Sequence, residues 1–189
     1  PPRSTLFPYT TLFRSGDIIA QRQTEVPVDM DAGQLTDLLA EIGADLLADD
    51  LPGFLSGEII PVRQNEEEAT TIRPVRKEDG RINWNAGVRE VHDLVRGCVP
   101  WPCAFTSIND RRLRIMKTAL PQDIGSPCGP CSGDAVPGTL VISPDKGRIF
   151  VKCINGYVEI LELQIEGCKN MPASVCAHNF AGSVILGGR

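Results

Sequence analysis

Cys128-Gly129-Pro130-Cys131 is the stretch of this chain whose residue types and spacing suit redox or metal chemistry. A dithiol of that spacing reacts when its first cysteine opens a helix, where the helix N-terminus lowers the thiol pKa. The residues that follow, Ser132-Gly133-Asp134-Ala135-Val136-Pro137-Gly138, cannot sustain a helix, so redox chemistry is disfavoured. Four thiolates would suffice for a tetrahedral zinc site. Cys98 and Cys103 offer a second pair, but their spacing is irregular and filled with proline. A surface loop inserted between strands is the better reading, and no metal is expected. His92 and His178 have no nucleophile or carboxylate at a suggestive spacing and read as structural or surface residues. The sequence contains no glycine-rich phosphate loop, no metal-ligand histidine pair and no serine elbow.

A second constellation is basic. Arg111, Arg112, Arg114 and Lys117 fall on one predicted hairpin, and Lys146, Arg148 and Lys152 on another. If both hairpins line one side of a small barrel, they form a track for RNA phosphates, where each neutralised phosphate releases a counterion. A solvated, alternating strand face accounts for the same pattern nearly as well.

The elements that must position these residues follow from periodicity. Asp17 to Val28 alternates weakly and predicts a strand or strand pair. Asp31 with Gln34 makes a capping box, and Leu35, Leu38, Leu39, Ile42, Leu46 and Leu47 follow at helical spacing. Gly43 costs that helix about 1 kcal/mol relative to alanine, and Pro52 is expected to end or kink it. Asn85 is the expected N-cap of a second helix to about Arg96, with Val88, Val91, Leu94 and Val95 as its buried stripe and Gly97 as its stop. Trp101, between Pro100 and Pro102, reads as a packing anchor.

Strand signals then dominate: Cys103 to Ile108, Arg112 to Leu120, Thr139 to Ser143, Arg148 to Cys153 and Tyr157 to Ile165. Asn109-Asp110-Arg111, Pro144-Asp145-Lys146-Gly147 and Asn155-Gly156 are the expected turns. A brief helix is expected near Pro172 to Asn179. Five short strands of this kind predict a small Greek-key barrel of the OB type.

Composition sets the frame. With 189 residues, 42% apolar and 23% charged, the chain is globular and holds one domain or slightly more. Gly16 to Asn83 carries six basic and fifteen acidic residues, whereas Trp84 to Arg189 carries eleven basic and nine acidic. That charge step marks a domain boundary and leaves the second half mildly positive. Glu66-Glu67-Glu68 reads as solvated linker. No apolar run reaches the roughly 20 residues of a membrane span, and seven cysteines without a secretory signal predict reduced thiols in a cytoplasmic protein.

Lys77-Glu78-Asp79-Gly80-Arg81-Ile82-Asn83-Trp84, followed by Val99-Pro100-Trp101-Pro102, resembles the linker and C-terminal domain start of the methionyl-tRNA formyltransferase family, which reads KEDGRIDW and then NPWP. Asn83 replaces the acidic residue and Val99 the asparagine. Gly16 to Gln21 resembles the family's LDTGDIIAQ, but Arg14 stands where the family has its catalytic aspartate. Pro74, within Thr71-Ile72-Arg73-Pro74-Val75, occupies the place of the linker lysine of YAPKL, leaving Arg73, Arg76 and Lys77 as linker candidates. Lys169 matches one of two lysines in the family's GKKRMS. Thr5 to Ser15 reads like a translated sequencing adapter, so residues 1–15 are set aside as an artefactual leader.

The resemblance implies an α+β chain: a strand–helix remnant of a Rossmann-like formyltransferase domain over 16–60, a linker over 61–83, and an OB-like tRNA-binding barrel over 84–189. It also implies the family's reaction, in which a formyl group passes from formyl-tetrahydrofolate to the amino group of methionyl initiator tRNA. For the chain itself the expectation is a monomer that grips tRNA through Arg111, Arg112, Arg114, Lys117, Lys146, Arg148, Lys152 and Lys169. It is expected to carry no catalytic residues and to bind no cofactor. Two other readings stay open: a related folate-dependent formyltransferase acting on an amino sugar, and a non-catalytic module built on the Cys128/Cys131 loop.

Overall fold

The computed structural model describes residues 16–70, 72–120, 135–143, 147–177, 180 and 184–187. The chain divides into two units, Pro1–Val26 with Leu35–Arg73 and Pro27–Gln34 with Pro74–Arg189. His178, Lys146, Cys128, Cys131 and the tip of the 144–147 turn lie outside the described residues.

The main element of the first unit is α1 (Ala32–Ser56). Its start is the predicted capping box: Gln34 N–H donates to Asp31 Oδ1 at 2.8 Å and Asp31 N–H to Gln34 Oε1 at 3.0 Å. Of the two expected effects of Pro52, ending the helix does not occur: the residue lies inside it. Proline's own φ is helical, and in the last turns of a helix it removes only one amide bond. Gly57 follows the last helical residue with φ +81°, as its place after the apolar stripe predicts, while Glu58 N–H reaches back to Gly53 C=O at 2.9 Å. Leu35, Leu38, Ile42 and Leu46 are half-buried, Leu39 and Leu47 are exposed, and no residue of α1 is fully buried. The strand expected over Asp17 to Val28 is absent. Only an antiparallel bridge forms, in which Ile18 and Val62 exchange both amide bonds at 2.7 and 2.8 Å. With a single paired residue opposite it, the segment has no ladder to join.

The second unit is an antiparallel sheet carrying a helix. Its strands are β1 (Ala104–Ile108), β2 (Arg111–Ala119), β3 (Thr139–Ile142), β4 (Ile149–Cys153), β5 (Gly156–Ile165), β6 (Met171–Pro172) and β7 (Val184–Ile185). They form a seven-stranded sheet in the order β1-β2-β5-β4-β3-β7, with β6 on β5. The five long strands sit within a residue or two of the sequence expectation. Two turns differ in detail: β1 and β2 are joined by Asn109-Asp110, both at positive φ, and β4 and β5 by Ile154-Asn155, one residue earlier than expected. Leu113 and Ile115 of β2 are 1% exposed and face inward, and a bulge at Lys117 shifts the register against β5.

The helix α2 (Val88–Cys98) lies against β2 and β5 and buries Val91, His92, Val95 and Cys98. Its N-cap is Gly87, not Asn85. The amide of Asn85 is instead taken by Asn83 Oδ1 at 3.1 Å, a local turn that delays the helix by two residues. His92, left as structural or surface by its sequence context, is structural: its Nδ1 lies 2.9 Å from Thr118 Oγ1 in the core. A short helix, α3 (Ala173–Cys176), packs on β5 and β6 and buries Ala173 and Cys176 in the same core.

The sheet curls until its two ends meet. Gly187 N–H, just past β7, donates to Ser107 C=O of β1 at 3.0 Å. Trp84 fills this seam: it is 5% exposed and its Nε1–H donates to Thr106 Oγ1 at 3.2 Å. Two glycines permit the close approach. A Cβ on Gly80 would stand 2.5 Å from Cys103 O, and one on Gly138, at φ +89°, 2.7 Å from Leu186 O. Trp101, expected as the anchor, is 57% exposed, and the buried packing tryptophan is Trp84.

Candidate nucleic-acid interface

The basic residues of β2 divide by strand alternation. Arg112 and Arg114 point away from the core that Leu113 and Ile115 fill. The guanidinium of Arg112 stands over Phe105, its Cζ 3.6 Å from the ring centroid, and the residue's own amide donates to Glu166 Oε2 at 3.0 Å. Arg114 Nη1 donates to Gln164 Oε1 at 3.0 Å, and Arg111 donates to the Glu166 carbonyl from the strand's edge. Lys117, at the bulge, stands opposite Glu162.

The cations of the other hairpin sit elsewhere on the same sheet. Arg148 is clamped by Glu159 through two bonds of 2.8 and 2.7 Å and lies over Phe150. Lys152 Nζ stands 5.0 Å from the Tyr157 ring. Lys169 is exposed beside Asn170, whose amide bonds Glu162. Because Arg114 pairs with Gln164 and Lys152 with Tyr157, these two cations stand at opposite ends of β5, about 23 Å of strand apart, with Lys117 and Arg148 in between on Glu162 and Glu159. Glu159 and Glu162 lie between them. Among the linker candidates, Arg73 belongs to the first unit, and Arg76 and Lys77 to the second, where both are exposed.

One concave feature gathers several of these groups. A cleft of about 780 Å³ opens between the Arg81–Asn85 segment, the β1–β2 hairpin and the strand end at Leu186. Arg81, Arg111 and Arg112 line it together with Phe105, Asn83 and Ser107. Arg81 is brought there by a parallel bridge to Phe105, reinforced by Ile82 N–H donating to Phe105 C=O at 2.8 Å. Sequence reasoning missed Arg81, Phe105 and Asn83 as site residues. Arg81 and Asn83 stood inside the signature segment, and Phe105 alternates with Ala104 and Thr106 on β1, so the signal was present but had no partner until the segment paired with β1.

Thiol chemistry finds less support. Burial raises the pKa of Cys98, Cys153 and Cys176, which holds all three as neutral thiols. Cys103 Sγ lies 2.9 Å from Pro100 C=O. Among the described residues no group of three or more His, Cys, Asp or Glu is placed to hold a metal, and no helix is long and apolar enough to cross a membrane.

The chain resembles several known proteins. Methionyl-tRNA formyltransferase of Ruminiclostridium cellulolyticum is 40% identical over 86% of this chain and 51% of its own length. The enzyme of the same name from Sorangium cellulosum is 31% identical over 92% of the chain and 54% of its own. The chain therefore spans about half the length of these relatives. Among solved structures, HypX from Aquifex aeolicus in complex with tetrahydrofolic acid superposes with a TM-score of 0.63 at 17% identity, over 89% of this chain and 28% of that one. WlaRD, a sugar 3N-formyl transferase, gives 0.56 at 15%, over 82% of this chain and 51% of that one. At such identities these two likenesses speak of fold alone. The family model described as "Formyl transferase, C-terminal domain" matches residues 74–181, more than half of the sequence and all five long strands, and the chain belongs to that family.

Proposed function

We propose that this chain is the tRNA-holding portion of a methionyl-tRNA formyltransferase. Its curled sheet serves as an OB-type barrel, residues 84–189, that grips RNA. Residues 16–60, where the helix forms but the expected strand is reduced to one bridge, are the end of a Rossmann-like formyltransferase domain, and 61–83 are the linker to the barrel. The observation that carries the reading is the cleft where Arg81, Arg111 and Arg112 meet Phe105 on the matched C-terminal domain. Cations beside an aromatic ring suit phosphate and base together. Arg114, Lys117, Arg148, Lys152 and Lys169 add separate points of contact along the sheet, interleaved with Glu159 and Glu162, and Arg73, Arg76 and Lys77 add others along the linker; Lys146, a further candidate, lies outside the described residues.

The complete enzyme would take the formyl group from formyl-tetrahydrofolate and place it on the amino group of methionyl initiator tRNA. Formyl transfer to an amine passes through a tetrahedral oxyanion and needs a general base beside oxyanion donors. We assign those groups to the half of the relatives that this chain does not span. Nothing specific to the chain favours an amino-sugar substrate, because the likeness to the sugar enzyme is one of fold.

A gel shift with initiator tRNA tests the proposal. The 189-residue chain should retard the tRNA at low salt, release it as salt rises, and transfer no formyl group. Absence of any tRNA complex at low salt would overturn the RNA-binding assignment, and measurable formyl turnover would overturn the assignment of catalysis to the missing half.

A further inference from the structure

We infer that the cleft between Arg81 and the β1–β2 hairpin accepts one unpaired RNA nucleotide, stacked on the Arg112 guanidinium. The inference rests on the tRNA-binding reading above and names what part of the RNA the site takes.

Three observations lead there. First, Arg112 is backed by an aromatic ring: its Cζ stands over Phe105, 3.6 Å from the centroid, and its backbone is tied down by the amide bond to Glu166. One face of a guanidinium so fixed is covered, and the other is a flat cation on which a base can stack. Inside a duplex both faces of a base are already occupied by neighbours, so only an unpaired base can use it. Second, the charge is small. The cleft lines Arg81, Arg111 and Arg112 against Asp110 and Glu166, a surplus of one positive charge. That surplus matches one phosphate; a duplex backbone, with its closely spaced charges, calls for a longer and purely basic track. Third, the remaining polar groups can read a base edge. Asn83, whose Oδ1 already takes the Asn85 amide, offers its side-chain NH2 as a donor, Ser107 offers a hydroxyl, and Asp110 and the second oxygen of Glu166 can accept from exocyclic amino groups. A volume of about 780 Å³ lies in the range of small-ligand sites and leaves room for a nucleoside with its phosphate.

The experiment compares two RNAs by fluorescence anisotropy on the full chain: a blunt duplex, and the same duplex with a single-stranded tail. The tailed RNA should bind about tenfold tighter, the size of one stacked base. Arg112→Lys keeps the charge and removes the plane, so it should erase most of that advantage. Phe105→Leu, which removes the backing ring, should act in the same direction. Thermal melts accompany both variants; if Phe105→Leu fails to fold, Arg112→Lys alone decides, because that side chain lies on the outer face.

Equal affinity for the two RNAs, or a tail advantage that survives Arg112→Lys, overturns the nucleotide site and leaves general tRNA binding standing. No binding of either RNA, nor of tRNA, at low salt sinks the broader reading with it.

Discussion

Cys153, the last residue of β4, has none of its surface exposed, and its thiol is pushed from its ordinary 9.0 up to about 11. Burial is the main cause; the Lys152 ammonium and a hydrogen bond from the Val158 backbone act in the opposite direction and lose. A raised thiol pKa means that the unfolded chain gives up this proton first. Its contribution to stability is therefore complete below pH 9 and disappears as pH climbs toward about 11. Thermal melts should show Tm falling across that window, and Cys153→Ala should flatten the fall relative to the parent. Equal slopes would show that the buried thiol is not the titrating group. At this scale the sequence was a good guide wherever a side chain's role depends on its immediate neighbours. The Asp31–Gln34 capping box formed as its spacing predicts. It was a poor guide for the tryptophans: Trp84 and Trp101 both sit in signature segments, and only the three-dimensional seam beside Thr106 and Gly187 selects Trp84 for burial.

Helix α2 shows how an element borrows from distant sequence. Its first free amide, on Val88, donates at 2.9 Å to Asn155 Oδ1 in the β4–β5 turn, while Gly87 N–H is met by Glu90 at 2.9 Å. Asn155 thus caps a helix 67 residues away in the chain. Asn155→Ala should cost about 1 kcal/mol, the usual worth of a capping side chain. Urea unfolding should show a lower midpoint at unchanged slope. No change in midpoint would mean that water satisfies the Val88 amide equally well. From the sequence this residue looked like half of a hairpin turn, and Asn85 looked like the cap. Local chemistry could not separate them, because a cap needs an acceptor in place and the fold supplies it from elsewhere. Strand positions were more legible, since a period of two survives any packing arrangement. The strand expected over Asp17 to Val28 failed for the complementary reason: a strand is a property of a pair, and its partner is a single residue, Val62.

Over the whole second unit, charge is distributed rather than pooled. Arg114 and Lys152 address opposite ends of β5, with Glu159 and Glu162 between them. Two contacts so far apart should act independently on a polyanion. Arg114→Ala and Lys152→Ala should each lower the slope of log affinity for tRNA against log salt by about 0.7–0.9, and the double variant by the sum. A slope unchanged by either substitution would remove that residue from the RNA surface. The sequence by itself determined the family motif, the strand periods, the amphipathic helix and the list of cations, because each is a matter of residue type and local spacing. Which cations share a surface was decided by tertiary structure: β5 intervenes between the two hairpins, and the Arg81 segment docks on β1. Register and curl arise only when strands far apart in sequence pair, so the cleft of Arg81, Arg112 and Phe105 existed nowhere in the linear chain.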